Sequence, residues 1–148
     1  MTAAHSRLRT ARILAVALLL LYVPAAALLV LGPDGWTVNR LNVAVWITVL
    51  GPFDLHRFVS PELFAGAMNV LLFVPATAAA VVLRPSWWWI LVGAGLGGMI
   101  EMYQLMLGSR QASVLDVLAN TAGAALGAAL GMGALALLTR GKGSNVGA

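Results

Sequence analysis

The stretch Glu101–Asn120 reads EMYQLMLGSRQASVLDVLAN. It joins the end of one apolar run to the start of the next. Glu101 and Gln104 lie near the end of the first run, Arg110 lies in a short polar connection, and Asp116 and Asn120 open the second. The whole chain has five acidic residues, and Glu101 and Asp116 are two of them. Whether the flanking runs are membrane helices decides the fold. Ionisable side chains inside a membrane are costly, and they line an interior or a cavity rather than face lipid.

Composition answers that question. The 148 residues are 61% hydrophobic and 9% charged, with a mean hydropathy of +0.92. Soluble domains carry about 25% charged residues. An all-α integral membrane protein is expected, with room for one bundle and none for a separate soluble domain. There is no cysteine, so neither a disulfide framework nor a thiolate metal site is available. The formal charge is +4, yet the basic residues are scattered and flank apolar runs. They read as topology determinants rather than as a nucleic-acid surface, so no nucleic-acid partner is expected.

Working outward in both directions, four spans are expected, at about 13–31, 63–83, 87–107 and 114–138. Each is near the roughly 20 apolar residues a bilayer requires. Residues 1–12, with Arg7, Arg9 and Arg12, form a short N-terminal tail. That basic start and the small residues Ala25–Ala27 also resemble a secretory signal peptide, but the run stays apolar to Leu31, which favours an uncleaved anchor. Pro24 predicts a kink in it. Trp36–Leu50 has an apolar part too short to span, so an interfacial or re-entrant segment is expected between the first and second spans. Ser60-Pro61-Glu62 reads as an N-cap, a first helical residue and a first-turn acid. Trp87, Trp88 and Trp89 suit a membrane interface. The tail, residues 139–148, is expected to be disordered.

Four spans place both termini on one side. Arg7, Arg9, Arg12, Arg84, Arg140 and Lys142 fall on that side, against Arg40, Arg57 and Arg110 on the other. The positive-inside rule then makes the termini cytoplasmic and turns the polar cluster outward. Asn69, Glu101, Gln104, Asp116 and Asn120 reach similar depth from three different spans. On a helical wheel Asp116, Asn120, Gly123, Gly127 and Gly131 occupy a stripe roughly 80° wide. Ala94, Gly97, Gly98, Glu101, Gln104 and Gly108 share a broader face of roughly 120°. Small residues at such spacing let helix backbones approach closely in lipid. The glycine series serves packing within the chain or pairing between copies; a bundle must assemble first, which favours packing. Glu101, Arg110 and Asp116 read either as a network joining two helices or as a ligand site. His5 and His56 are both remote in sequence from the carboxylates, so no His-based metal site and no cofactor are expected; an all-oxygen site on Glu101 and Asp116 stays open as the alternative.

Three pieces of the sequence resemble the VanZ-like family of small bacterial membrane proteins. Asn69-Val70-Leu71-Leu72-Phe73-Val74-Pro75 is similar to the family's N-x-L-x-F-x-P helix. Glu101-x-x-Gln104 is similar to its E-x-x-Q. Arg110, Asp116, Asn120, Gly123 and Gly127 keep the spacing of its R-x-x-x-x-x-D-x-x-x-N-x-x-G-x-x-x-G. The likeness covers about 60–132, and it departs at Ala76-Thr77, where the family commonly has Leu-Gly. The family is named for a protein associated with resistance to teicoplanin, a lipoglycopeptide. The resemblance implies a bacterial envelope protein whose shared polar residues are Asn69, Glu101, Gln104, Arg110, Asp116 and Asn120.

The leading functional expectation is a non-enzymatic plasma-membrane protein that binds membrane lipid, a lipid-linked headgroup or a lipoglycopeptide in an outward polar cleft. Arg110 attracts phosphate or carboxylate there, and the amides donate hydrogen bonds. An alternative is a membrane enzyme using Glu101 and Asp116 as an acid–base pair on a lipid headgroup. Against it stands the want of a serine or cysteine nucleophile beside a histidine. A third reading is a homo-oligomeric transporter component, which the glycine series permits.

Overall fold

The computed structural model describes residues 3–32, 35–108 and 113–139. Arg110 and the tail from residue 140 lie outside the described residues. The described chain is helical throughout: α1 (Ala3–Val30), α2 (Gly35–Leu50), α3 (Pro61–Leu83), α4 (Trp88–Met106) and α5 (Val114–Thr139), with two single 3₁₀ turns at Gly51–Phe53 and Leu55–Arg57.

Helices α1, α3 and α5 are long and apolar enough to cross a membrane. The fourth expected span does form a helix, the 19-residue α4, but it is not among those that reach the same apolar character. Glu101 and Gln104 near its end, and Gly93, Gly95, Gly97 and Gly98 in its middle, dilute its hydrophobicity. Helix α1 begins ten residues before the expected span, because nothing between Ala3 and Arg12 breaks a helix. Its 28 residues rise about 42 Å, against roughly 30 Å of hydrocarbon, so its Arg-rich first turns extend beyond the apolar layer. The helix runs on through Pro24. The ambiguous Trp36–Leu50 is a 16-residue helix, α2, shorter than a span requires.

The start of α3 follows the expected capping chemistry. Ser60 is extended and its hydroxyl accepts the Leu63 N–H at 3.2 Å; Pro61 and Glu62 fill the first turn. At the other end of the adjoining hairpin, Gly108 closes α4 with φ +63°, a left-handed conformation that glycine adopts without steric cost.

The core is the α3–α5 contact, and it is built from absences. Gly123, Gly127 and Gly131 face the α3 backbone so closely that a Cβ on each would meet a carbonyl oxygen, of Val70, Val74 and Ala78 respectively. Ala124, Ala128 and Val81 are fully buried beside this seam. Thr77, one of the two positions that depart from the family pattern, is buried against Gly127. The glycine face of α5 is therefore occupied by α3 of the same chain. Helix α4 packs on α5 through Gly93, against Ala124, and through Gly97, against Asn120. The buried stripe of α4 is Gly93, Gly97, Glu101 and Gln104. Ala94 and Gly98, expected on it, sit to one side, and a Cβ on Gly98 would meet nothing within 4 Å. Helix α1 lies outside, with Ala15 its one buried described residue. Tyr22 ties it to α3 by donating to the Leu72 carbonyl at 2.9 Å.

Candidate functional site

Close α3–α5 and α4–α5 packing carries the polar residues into one region. Asn69 lies two turns into α3 and Asp116 in the first turn of α5. Asn69 Nδ2 donates to Asp116 Oδ1 at 2.9 Å. Glu101, near the end of α4, reaches the start of α5, where its Oε2 accepts the Ser113 backbone N–H at 2.9 Å. The Ser113 carbonyl in turn accepts the Asp116 N–H at 3.1 Å. One residue's backbone thus links the two carboxylates. Both sit at the N-terminal end of α5, where the helix dipole supplies about half a unit of positive charge.

Gln104 and Asn120 take different roles. Gln104 Nε2 donates to the Val30 carbonyl at 3.2 Å, so it holds the end of α1 against α4. Tyr103 reinforces this join from the next position, its hydroxyl donating to the Leu31 carbonyl at 3.4 Å. Asn120 is wedged beside Gly97, where a Cβ would come within 3.1 Å of its Nδ2. It is 4% exposed, and its Oδ1 has no hydrogen-bond partner among the described residues. Buried acceptors without a donor are uncommon in folded proteins.

These residues border a cleft of about 1590 Å³, larger than the roughly 300–1,000 Å³ of a site for a drug-sized molecule. Asn69, Glu101, Gln104, Asp116 and Asn120 all line it. The rest of the lining is mainly apolar and comes chiefly from α2, α3, the last turn of α1 and the first turns of α5. Neither Glu101 nor Asp116 forms an ion pair among the described residues, where the one ion pair is Arg57–Asp54 at 3.5 Å on the surface. No group of three or more His, Cys, Asp or Glu converges among the described residues.

Two lining amides were missed by the sequence reading. Asn39 and Asn42 on α2 form part of the cleft wall with Val38, Leu41 and Val45. Their three-residue spacing is the signal, since it puts both on adjoining turns of one helix face. It carried no weight while Trp36–Leu50 had no assigned structure. Trp46 anchors α2 from its far end, its indole N–H donating to the Val59 carbonyl at 2.9 Å.

Three helices able to cross a bilayer and a polar cleft between helices define a helical membrane protein. The family model described as VanZ/LLP1 matches residues 13–137, and the chain belongs to that family. No curated protein and no solved structure matches it.

Proposed function

We propose that this chain is a non-enzymatic protein of the bacterial plasma membrane whose outward-facing cleft binds a lipid, a lipid-linked headgroup or a teicoplanin-type lipoglycopeptide. Tolerance to such an antibiotic is the expected cellular consequence. The observation that carries the reading is the cleft itself. Polar side chains from α3, α4 and α5 meet at one end of a large, mainly apolar hollow. A headgroup suits the polar end and an acyl chain suits the walls.

In this proposal α4 is the fourth span, residues 13–138 form the membrane domain and both termini are cytoplasmic, as the distribution of arginine and lysine supports. The chain has no cysteine, so a single cysteine replacing Ser109, between α4 and α5, is a clean reporter. It reacts with a membrane-impermeant maleimide in intact cells under this topology. Protection there, with labelling only after lysis, reverses the orientation.

Arg110 is the proposed contact for phosphate or carboxylate on the ligand. Arg110→Gln is expected to weaken binding of a phospholipid or lipoglycopeptide in nanodiscs by about tenfold, the scale of one charged hydrogen bond. Unchanged binding removes Arg110 from the site.

A further inference from the structure

The accessible polar lining of the cleft is mostly amide. Asn39 and Asn42 line it from α2, and Asn69 and Asp116 line it from α3 and α5. Asn39 is exposed and the other three are half-buried, so none of the four is sealed inside the packing. An amide carries two N–H donors and a carbonyl acceptor, while a carboxylate only accepts. Asn69 gives one N–H to Asp116 and keeps the second. Donors and acceptors are therefore interleaved, with a single charge among these four side chains. Trp36 lines the same cleft and is 79% exposed. Trp36, Asn39 and Asn42 follow at three-residue steps along α2, which sets the indole beside the amides on one helix face.

We infer that these side chains recognise a polyhydroxylated six-membered ring, a sugar or a cyclitol, carried as the headgroup of a membrane lipid. This rests on the reading of the cleft as a headgroup site. A hydroxyl both donates and accepts. Neighbouring ring hydroxyls can therefore give a hydrogen to Asp116 or to an amide carbonyl and accept one from the next amide N–H. The C–H groups on one side of such a ring form an apolar, slightly positive face, which stacks on the negative face of an indole. A headgroup that is only a phosphate meets the Asp116 carboxylate and the exposed Glu62 along the same lining. A quaternary ammonium offers the amides nothing to donate to. Val38, Leu41 and Val45 of α2 and Leu72 of α3 line the cleft as apolar wall, which suits an acyl chain and so a lipid rather than a free sugar.

The test is native mass spectrometry of the full chain in a polyoxyethylene-ether detergent, because alkyl glycosides carry a sugar ring themselves. Three short-chain lipids of equal tail length are compared. They are phosphatidylinositol, phosphatidylglycerol, which has the same charge and no ring, and diacylglycerol, which has no headgroup beyond a hydroxyl. Phosphatidylinositol is expected to bind about tenfold or more tighter than phosphatidylglycerol, the scale of two hydrogen bonds. The Asn39→Ala, Asn42→Ala double variant keeps α2 helical, since alanine favours helix over asparagine. It is expected to reduce that preference to within about twofold. An unchanged preference in the double variant overturns the assignment of the ring to α2. Free myo-inositol is added as a competitor. Displacement at concentrations similar to the lipid identifies a free polyol as the source of the same chemistry, and no displacement identifies the lipid. Equal binding of phosphatidylinositol and phosphatidylglycerol, both tighter than diacylglycerol, overturns the ring assignment and leaves the headgroup site standing. Equal binding of all three, or of none, overturns both.

Discussion

Gly123→Ala is expected to prevent the bundle from closing. The new methyl group would be driven into the Val70 carbonyl oxygen, with Phe73 Cβ and the Val70 carbonyl carbon each 3.0 Å away. Two of those three neighbours are backbone atoms in the middle of a helix, which cannot rotate aside as a side chain can. Helix α5 must therefore move off α3, and the same displacement opens the contacts at Gly127 and Gly131. Overpacking of a well-filled interior costs about 1–3 kcal/mol, occasionally more. The upper end applies here because the displaced element is a helix. Gly133→Ala is the control, since a Cβ there meets nothing within 4 Å and alanine favours helix by about 1 kcal/mol over glycine. Thermal melting in detergent, read with the size-exclusion profile, separates them. The first variant is expected to aggregate or melt well below the unaltered chain, and the control to match it. Equal stability of the two would mean that α3 and α5 do not approach as described.

Much of this architecture was readable from residue type and spacing. Ser60-Pro61-Glu62 predicted the start of α3 because capping is a local matter of one hydroxyl and one backbone N–H. The glycine stripe on α5 predicted a close backbone approach, since nothing else is gained by leaving side chains out at four-residue spacing in lipid. What spacing could not say was which surface would fill the gap. That it is α3 of the same chain depends on the carbonyls of Val70, Val74 and Ala78 lying in register with the glycines, a tertiary fact. On α4 the period alone admitted Ala94 and Gly98 to the packing face. The actual stripe passes through Gly93, one residue away, because the crossing of α4 on α5 selects one edge of a broad run of small residues. The start of α1 was misjudged for a different reason. Hydropathy marks where the apolar layer ends, while a helix continues through polar residues until something stops it.

For the candidate site, the sequence indicated which residues were out of place in an apolar chain but not how they are joined. Asn69, Glu101, Gln104, Asp116 and Asn120 all line the cleft. Their pairings follow no simple proximity in sequence: Glu101 meets the backbone of Ser113, Asp116 meets Asn69 from another helix, and Gln104 meets the end of α1. The contribution of α2 was hidden because a short helix with an apolar half carries too weak a pattern to assign its faces. The unpartnered Oδ1 of Asn120 is visible only once Gly97 is seen pressed against the same side chain.

Removing both carboxylate charges is expected to abolish headgroup binding while leaving the fold in place. Glu101→Gln keeps an oxygen to accept the Ser113 N–H, and Asp116→Asn keeps one for Asn69 Nδ2. Both hydrogen bonds seen in the native chain therefore have a donor and an acceptor in the double variant. Hydrogen bonds between membrane helices contribute about 0.6 kcal/mol on average, so the change in stability is small. Binding responds differently. Each charged contact to a ligand is worth about tenfold or more, and two together about a hundredfold. A helix-joining network and a ligand site therefore part company on this variant. The deciding measurement is the affinity of a short-chain phospholipid for the unaltered chain and for the Glu101→Gln, Asp116→Asn double variant, at matched melting temperature. A loss of about a hundredfold is the predicted result. Undiminished binding by a folded double variant would contradict it, and would leave Glu101 and Asp116 as structural links between helices.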